Sequence, residues 1–344
     1  MTSVREPKVS VLLPSDWAAA GLVDDVRRGL GALPRSLPPK WLYDDRGSEL
    51  FDRITRLPEY YPTEAERSIL RGNADEIAEL SGATTVVELG SGTSDKTRTL
   101  LDAFYGSGRL DRFVPVDVSE ATLRTAAEQI AGRYPGVQVE AVVGDFTLHL
   151  RHLPTGGRRM VAFLGGTIGN LYTEERAAFL GALADSLEPG DSLLLGTDLV
   201  KSVDRLVPAY DDSEGVTAEF VKNSLAVVNR ELGADFDLGA FRYIAFWDPR
   251  MERMDLRLRS EEPQRVAIPG AGMEVELAAG EEIRVEISTK FRLDGIAAEL
   301  ASAGFSVTRQ WADDAGDFGV SLAHRVPDPD PVPRQRSAAT RDDR

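Results

Sequence analysis

The segment TTVVELGSGTS, residues 84–94, decides the fold. Its first six residues form a β-rich, mostly apolar run that is typical of a buried strand, and its glycines end that strand in a tight loop. We expect a helix to follow the loop, to about residue 104. A strand, a glycine loop and a helix in this order form the first unit of a doubly wound α/β sheet, which binds ligands at the carboxyl ends of its strands.

The alternation of strand and helix continues to residue 199. Two more helices are expected, ending near residues 134 and 187, with Ser119 and Thr173 as their N-caps. Mostly apolar strands that alternate with helices predict a parallel sheet with helices on both faces. The further strands are predicted over residues 112–118, 137–143, 160–164 and 192–199.

The last strands of the chain cannot be parallel neighbours. Residues 293–303 form a predicted helix, and strands are expected over residues 306–311 and 318–323. These two strands are too close together for a helical crossover, so they should pair antiparallel. The predicted fold class is therefore α/β, a doubly wound parallel sheet that ends in an antiparallel edge hairpin.

A second region interrupts this sheet. Residues 200–290 contain a predicted helix over 217–231 and then strands that are expected to be antiparallel, over 241–247, 254–259, 273–278 and 283–289. We predict that residues 12–64 and 200–290 form an α+β substrate-binding domain, and that residues 65–199 and 291–325 form the catalytic domain. Residues 326–344, rich in Pro, Asp and Arg, are predicted to be disordered.

The first sixty residues give weaker signals. A helix is predicted over residues 17–33, and an aromatic-rich tract without regular spacing follows it. Thr63 and Glu66 stand at the spacing of a capping box, directly after a proline, so we expect a helix from there to about residue 80.

The charge and composition of the chain exclude several classes of protein. Its 344 residues carry 56 acidic and 40 basic side chains, a net charge of -16, which disfavours nucleic-acid binding. There is no cysteine, so disulfides and thiolate metal sites are excluded, and no metal site is predicted. We find no apolar run long enough to cross a membrane and no signal peptide. A monomeric, cytoplasmic protein is expected.

Three ligands compete for the glycine loop. The dinucleotide fingerprint needs a third glycine where this chain has Asp95, and the P-loop needs a second glycine at the same position. Asp95 would repel the phosphates of both ligands. S-Adenosylmethionine carries a sulfonium and an amino-acid group instead, and the acidic-x-Gly-x-Gly pattern from Glu88 to Gly92 suits it.

Side chains after the next strands support the same ligand. Asp117 ends the second strand, where a carboxylate can accept both ribose hydroxyls. Asp145 and Phe146 follow the third strand and suit the adenine, while Lys96 can reach the carboxylate of the cofactor. Taken alone, the glycine loop can be a mere turn and each acid a solvated strand end. Their order at successive strand ends predicts a class I methyltransferase.

The loop after the fourth strand, GGTIGNLY over residues 165–172, lies where the methyl acceptor meets the cofactor in this architecture. Its glycines permit close backbone approach, and Asn170 offers both a donor and an acceptor. From the sequence alone, the alternative that Asn170 only ends a loop is equally open.

The chain resembles a specific family, the ergothioneine-pathway histidine Nα-methyltransferases, over roughly residues 14–325. The fourth-strand motif and the tyrosine pair at Tyr60 and Tyr61 are much more specific than the glycine loop. The resemblance is carried by PEYYPTE (58–64), ELGSGT (88–93), FLGGTIGN (163–170), DLVK (198–201) and EIS (286–288).

The resemblance implies trimethylation of the α-amino group of L-histidine to hercynine, with S-adenosylmethionine as methyl donor. Asn170 and Tyr210 would hold the amino and carboxylate groups of the substrate, with Tyr60 beside the amine. We hypothesise that Asn170 and Tyr60 orient the amine for methyl transfer while water takes its proton. The cofactor residues implied are Tyr43, Gly90, Lys96, Asp117, Asp145 and Phe146. The residues implied at the imidazole and the pocket wall are Glu286, Ile287, Ser288, Thr167, Phe220 and Leu256, the last at a position where the family pattern has a methionine.

Residue chemistry agrees with the implied imidazole site, since a carboxylate and a hydroxyl can bind the two ring nitrogens. Without the resemblance, Glu286 would be interpreted as the solvated face of an alternating strand. Two alternatives stay open: a methyltransferase of the same fold that acts on another amino acid or small metabolite, and a non-catalytic nucleotide-binding protein.

Overall fold

The computed structural model describes residues 5–14, 16–94 and 96–327. Asp95 and residues 328–344 of the tail predicted to be disordered lie outside these ranges. The helices are α1 (Trp17–Gly31), α2 (Asp45–Ile54), α3 (Pro62–Ser81), α4 (Arg98–Gly106), α5 (Glu120–Arg133), α6 (Thr173–Ser186), α7 (Val203–Tyr210), α8 (Val216–Leu232) and α9 (Leu293–Ser302). The strands are β1 (Lys8–Val11), β2 (Arg35–Ser36), β3 (Thr85–Leu89), β4 (Arg112–Asp117), β5 (Gln138–Val143), β6 (Arg159–Phe163), β7 (Ser192–Asp198), β8 (Phe241–Asp248), β9 (Arg253–Ser260), β10 (Gln264–Ile268), β11 (Met273–Leu277), β12 (Glu282–Thr289), β13 (Phe305–Ala312) and β14 (Phe318–Arg325).

The main sheet has eight strands in the order β1-β5-β4-β3-β6-β7-β14-β13. Strands β1 and β3 to β7 are parallel, and β14 runs antiparallel to both β7 and β13. The strand order reverses direction at β3, whose neighbours are β4 and β6, so the glycine loop lies at the topological switch point where such sheets bind ligands. The predicted fold class is confirmed.

A second, four-stranded sheet has the order β2-β12-β9-β8. Its strands β8, β9 and β12 are antiparallel, while the short β2 adds to β12 in parallel. Strands β10 and β11 form a separate antiparallel pair.

Three cores of buried apolar side chains support these layers. Two cover the opposite faces of the main sheet, with Val86 and Phe113 on one face and Val87 and Val114 on the other. The third core joins residues 22–61 to residues 206–285, with Phe220 among its members. We propose that this third core marks a substrate domain, with the boundaries given above.

Several elements differ from the sequence-based expectation. Strand β1 was not predicted, since the first sixty residues give only weak signals. It extends the main sheet by pairing with β5, a long-range contact that its four residues do not encode. Helix α2 was hidden in the aromatic-rich tract and is capped by the Asp44 carboxylate, which accepts the Gly47 N–H at 2.8 Å. Helix α7 and strand β10 were also missed.

The predicted helix caps were wrong in detail. Helix α3 begins at Pro62, and Glu66 is a buried side chain that binds elsewhere, as described below. Thr173 is the first residue of α6, and its neighbour Tyr172 holds the N-cap position. Ser119 does hold the N-cap position of α5, but its hydroxyl donates to the Thr122 hydroxyl at 2.9 Å and caps no backbone group.

No helix within the described ranges is both long enough and apolar enough to cross a membrane.

Candidate active site

Four loops that carry predicted site residues meet at one edge of the main sheet. They follow β5, β4, β3 and β6, which are parallel neighbours in that order. Because the carboxyl ends of parallel strands share one edge, the sheet brings the loops of Asp145, Asp117, Gly90 and Thr167 together.

The glycine loop is shaped by backbone conformation and by one carboxylate. Gly90 and Gly92 have φ angles of +66° and +49°, which disfavour a side chain. The Asp117 carboxylate accepts the Gly92 N–H at 2.9 Å through Oδ2 and the Ser119 N–H at 2.9 Å through Oδ1. Asp117 therefore orders the loop. Asp95, the residue expected to repel phosphate ligands, lies outside the described residues.

Phe146 lies against the glycine loop. A Cβ atom at Gly90 would lie 3.9 Å from Phe146 Cε1, and the Phe146 ring is 5.1 Å from that of Phe163. The neighbouring Asp145 carboxylate accepts the backbone N–H of Thr147 at 2.8 Å and its hydroxyl at 2.6 Å. The structure thus brings together the residues predicted for the two ends of an adenosine group.

Glu88 is buried beneath the same loop, with one oxygen unused. Its Oε1 accepts a hydrogen bond from the Thr97 hydroxyl, and its Oε2 has no hydrogen-bond partner among the described residues. Burial raises the pKa of Glu88 to about 7, although the nearby Thr97 and Ser94 hydroxyls and the Lys96 charge lower it. A buried, unpaired carboxylate oxygen is costly, and a cationic or N–H ligand group would relieve that cost.

Lys96 is held between two loops by a residue that sequence analysis did not place in the site. Its Nζ donates to Glu66 Oε2 at 2.6 Å, and Glu66 Oε1 accepts the Gly165 N–H at 2.7 Å. Glu66 has no exposed surface. This carboxylate therefore ties α3 and the loop after β3 to the loop after β6, which explains its burial so early in a helix.

The loop after β6 packs directly on β12. A Cβ atom at Gly169 would lie 2.7 Å from the Thr289 carbonyl oxygen, so only glycine allows this approach. The side chain of the adjacent Asn170 hydrogen-bonds to the Glu286 carboxylate. Burial raises the pKa of Glu286 to about 7, while the Lys290 charge and the Asn170 hydrogen bond lower it. Asn170 and Glu286, 116 positions apart in the printed sequence, are thus direct neighbours.

Ser288 lies two residues after Glu286, on the same face of β12. Its Oγ is 2.9 Å from the Tyr210 hydroxyl, and Lys290 Nζ donates to each of these two oxygens at 2.6 Å. Ile287 lies between them in the strand, and its side chain alternates to the opposite face, where it is buried.

Asp198 connects this group to a second lysine. Its carboxylate lies 2.8 Å from Lys290 Nζ and 2.5 Å from Lys201 Nζ, and it accepts the Tyr61 hydroxyl at 2.9 Å. The Asp198 side chain is 5% exposed, so its charge must be balanced by these partners. Burial lowers the pKa of Lys290, and the Asp198 carboxylate opposes that shift. We call Asp198, Lys201, Lys290 and Tyr61 the buried charge cluster.

Aromatic rings surround the Glu286 side of the site. The Tyr43 ring is 5.4 Å from that of Phe220, and the Tyr60 ring is 6.5 Å from that of Tyr210. Tyr43 is 40% exposed whereas Phe220 is buried, so Tyr43 is the more accessible of that pair. Burial raises the pKa of Tyr60 and Tyr210 well above 10, and the nearby Glu286 charge raises both further.

The positions of two other residues named from the sequence, Thr167 and Leu256, show only local contacts. The Thr167 hydroxyl donates to the Leu164 carbonyl at 3.1 Å. Leu256 is buried and opposes Glu286 in the β9–β12 register. No cluster of three potential metal ligands occurs among the residues that the structure describes.

Comparison with known proteins decides the family. A model of the S-adenosylmethionine-dependent, histidine-specific methyltransferases matches residues 22–325. The chain belongs to this family. It is 57% identical over 313 residues to a histidine N-alpha-methyltransferase of Mycolicibacterium smegmatis, covering 91% of this chain and 98% of the relative. The corresponding protein of Mycobacterium tuberculosis is 55% identical and covers 90% of this chain and 97% of its own.

A more distant relative is the ergothioneine biosynthesis protein 1 of Schizosaccharomyces pombe. It is 37% identical over 224 residues, which cover 62% of this chain and 29% of the relative.

The loop residues of this histidine-specific methyltransferase fit the S-adenosylmethionine that its family uses. The unused Glu88 Oε2 matches a ligand amino group, and the positive φ angles at Gly90 and Gly92 leave the backbone open to close approach. Asp117 and Phe146 adjoin the same loop.

Three charged residues of the site were missed from the sequence: Glu66, Asp198 and Lys290. Asp198 and Lys290 carried one available signal, since each is a charge at the end of an otherwise apolar or alternating strand. The sequence signal at Glu66 was misleading, because its spacing from Thr63 suits a helix cap.

Proposed function

We propose that this protein transfers three methyl groups to the α-amino nitrogen of L-histidine and so produces hercynine, the first step of ergothioneine biosynthesis. The observation that carries the proposal is the group formed by Glu286, Ser288 and Asn170. A partly buried carboxylate and a buried hydroxyl share one strand face, and an amide side chain that hydrogen-bonds to the carboxylate comes from the loop after β6. The names and high identity of the mycobacterial relatives support the same substrate.

In this proposal the imidazole ring binds between Glu286 and Ser288. A neutral imidazole has one N–H donor and one acceptor nitrogen, and a carboxylate with a hydroxyl complements both. With its pKa raised to about 7, Glu286 is about half ionised in neutral solution, and an imidazole N–H bound to it favours the ionised form. Ile287 contributes backbone and spacing to this subsite, and Thr167 and Phe220 line the pocket.

The amine and carboxylate of the substrate bind near Asn170, Tyr60 and Tyr210. Asn170 can accept an amine N–H while its own N–H₂ donates elsewhere. Tyr60 and Tyr210 present neighbouring rings, 6.5 Å apart, to an amine that becomes a quaternary cation, and cation–π attraction stabilises that product.

Gly90, Lys96, Asp117, Asp145 and Phe146 hold S-adenosylmethionine in this proposal, and Tyr43 covers it from the other side of the cleft. The bound cofactor supplies an electrophilic methyl group on its sulfonium sulfur. The residues of the chain contribute by holding the amine nitrogen in line with that methyl group, and such positioning alone lowers the barrier by several kcal/mol. Asn170 and Tyr60 orient the amine, and water takes its proton.

We further infer a monomeric enzyme located in the cytoplasm, whose substrate domain comprises residues 12–64 and 200–290. Sedimentation analysis and cell fractionation test the first two statements, and limited proteolysis tests the domain boundaries.

A competition assay tests the proposed substrate. The protein is incubated with labelled S-adenosylmethionine and an equimolar mixture of the common amino acids, and the labelled product is identified. Label in histidine alone supports the proposal. Label in another amino acid would transfer the assignment to a different methyl acceptor, and absence of label from every amino acid would refute amino-acid methylation.

A further inference from the structure

Lys290 is a fully buried cation directly behind the proposed imidazole subsite. Its side chain has 0% exposure, and its Nζ lies 2.6 Å from Tyr210 Oη, 2.6 Å from Ser288 Oγ and 2.8 Å from Asp198 Oδ2. An ammonium group has three N–H donors and no acceptor. The three oxygen neighbours therefore use all of its hydrogen atoms.

The two hydroxyls are constrained by this arrangement. Each has one O–H donor and two lone pairs, and each already accepts an N–H from Lys290. The Tyr210 and Ser288 oxygens are 2.9 Å apart, so one of the two hydroxyl protons fills the bond between them. The other proton has no acceptor within this group and must point outward. The pair therefore offers a hydrogen-bond donor to whatever binds next to it.

Glu286 offers the opposite polarity on the same strand face. As a carboxylate it only accepts hydrogen bonds, and Asn170 already supplies one donor to it. The subsite thus presents one acceptor and one donor. A neutral imidazole matches this pattern, whereas an imidazolium, with two N–H donors, would direct one N–H at the outward proton.

We propose that Lys290 is a positioning residue: it occupies one lone pair of Ser288 while the Tyr210 hydroxyl donates to the other, which fixes Ser288 as a hydrogen-bond donor and so selects the neutral imidazole of the substrate. Asp198 holds the ammonium group in place from behind. The inference rests on the proposed function and extends it, since it names the residue that sets the polarity of the subsite.

A purely structural role for Lys290 explains less of the geometry. Lys201 already pairs with Asp198 at 2.5 Å, and Tyr61 donates to the same carboxylate at 2.9 Å, so Asp198 keeps partners without Lys290. Lys201 has no hydrogen bond to Tyr210 or Ser288 in the described structure. It is therefore a matched control: a second lysine on the same carboxylate, whose other hydrogen bonds go to Tyr61 and the Leu199 carbonyl.

The experiment compares Lys290→Met with Lys201→Met. Methionine has nearly the length of lysine and no hydrogen-bond donor, so the hydroxyl pair regains a free lone pair and can turn its protons inward. We expect the KM for histidine to rise about 10- to 100-fold in Lys290→Met. The dissociation constant for S-adenosylmethionine should stay within about twofold of wild type, as expected for independent sites. Lys201→Met should lower thermal stability and leave the KM for histidine unchanged.

A double-mutant cycle with Ser288→Ala separates positioning from general damage. If Lys290 acts through Ser288, the double variant has nearly the same KM as Ser288→Ala alone. Multiplied losses, an unchanged KM in Lys290→Met, or an equal rise in Lys201→Met would each overturn the proposal. Should Lys290→Met not fold, Lys290→Gln replaces it in the same cycle; its amide keeps two N–H donors and should restore part of the affinity.

Wild-type turnover distinguishes a failure of the proposed function from a failure of the role proposed for Lys290. If the wild-type protein does not methylate histidine, the proposed function fails. If it does, and the cycle is additive, only the role of Lys290 fails.

Discussion

Replacing Glu286 with glutamine changes the site at a single pair of atoms. The variant keeps the size of the side chain and one carbonyl acceptor, but it removes the negative charge that receives the imidazole N–H in our proposal. It also leaves Lys290 paired with Asp198 at 2.8 Å, so no buried cation is left alone. The effect on substrate can therefore be measured without collapse of the buried charge cluster.

The expected loss follows from the kind of hydrogen bond removed. Hydrogen bonds to charged groups contribute about 1.5–3 kcal/mol, which corresponds to a fall of about 10- to 150-fold in kcat/KM for histidine. Binding of S-adenosylmethionine should be nearly unaffected, because all the proposed cofactor residues except Tyr43 lie at the ends of β3, β4 and β5 or on the loops after them.

The assay measures kcat/KM for histidine at saturating S-adenosylmethionine, and cofactor affinity by calorimetry. Glu282→Gln is the matched control, since Glu282 begins the same strand β12 but forms surface ion pairs with Arg257 and Arg259. That control should change stability by no more than about 1 kcal/mol and leave kcat/KM at the wild-type value. Equal losses for histidine and for S-adenosylmethionine in Glu286→Gln would show that Glu286 supports the fold and does not bind the imidazole.

The same variant has a second, opposite effect on stability. Burial raises the pKa of Glu286 from 4.5 to about 7 in the folded protein. Between these two pH values the folded protein retains a proton that the unfolded chain has lost, so the stability of the wild type falls as the pH rises. Above pH 7 the ionised carboxylate costs the ligand-free protein up to about 3 kcal/mol. Glu286→Gln should therefore gain stability relative to wild type between pH 5 and pH 8 in thermal melts; a constant difference would contradict this.

Three further variants test other parts of the site. Asn170→Ala should lower kcat/KM for histidine about 100-fold while calorimetry shows normal S-adenosylmethionine binding, because the amine loses its orientation; unchanged turnover would remove Asn170 from the reaction. Asp117→Ala should weaken S-adenosylmethionine binding about 10- to 100-fold, since the Gly92 N–H loses its carboxylate partner. Weaker histidine binding with unchanged S-adenosylmethionine binding would contradict this. Asp198→Asn should lower the free energy of unfolding by about 3–5 kcal/mol in urea, because Lys201 and Lys290 lose their counter-ion; wild-type stability would show that the lysines are neutral.

Much of the main sheet could be predicted because its signals are local. The segment over residues 84–94 encodes a strand and its turn within eleven residues. Asp117 and Asp145 lie at strand ends that the alternation of strands and helices reveals. Strand β1 could not be found this way, since its four residues become a strand only by pairing with β5.

The charged part of the site could not be predicted because its partners are distant in the chain. Glu66 binds the Gly165 N–H, 99 positions away, and the spacing of Thr63 and Glu66 offered a plausible local explanation instead. Lys290 meets Tyr210 across 80 positions. Glu286 looked like the solvated face of a strand, and only the resemblance to a family pointed to it; its burial follows from packing of the loop after β6 on β12.

Mass spectrometry of the small-molecule product tests most directly whether the protein methylates the α-amino group of histidine. L-Histidine incubated with the protein and S-adenosylmethionine should gain one, then two, then three methyl groups, and fragmentation should place all three on the α-nitrogen. The proposed function would be contradicted if histidine stays unmodified in the presence of folded, cofactor-binding protein, or if it is methylated on its ring.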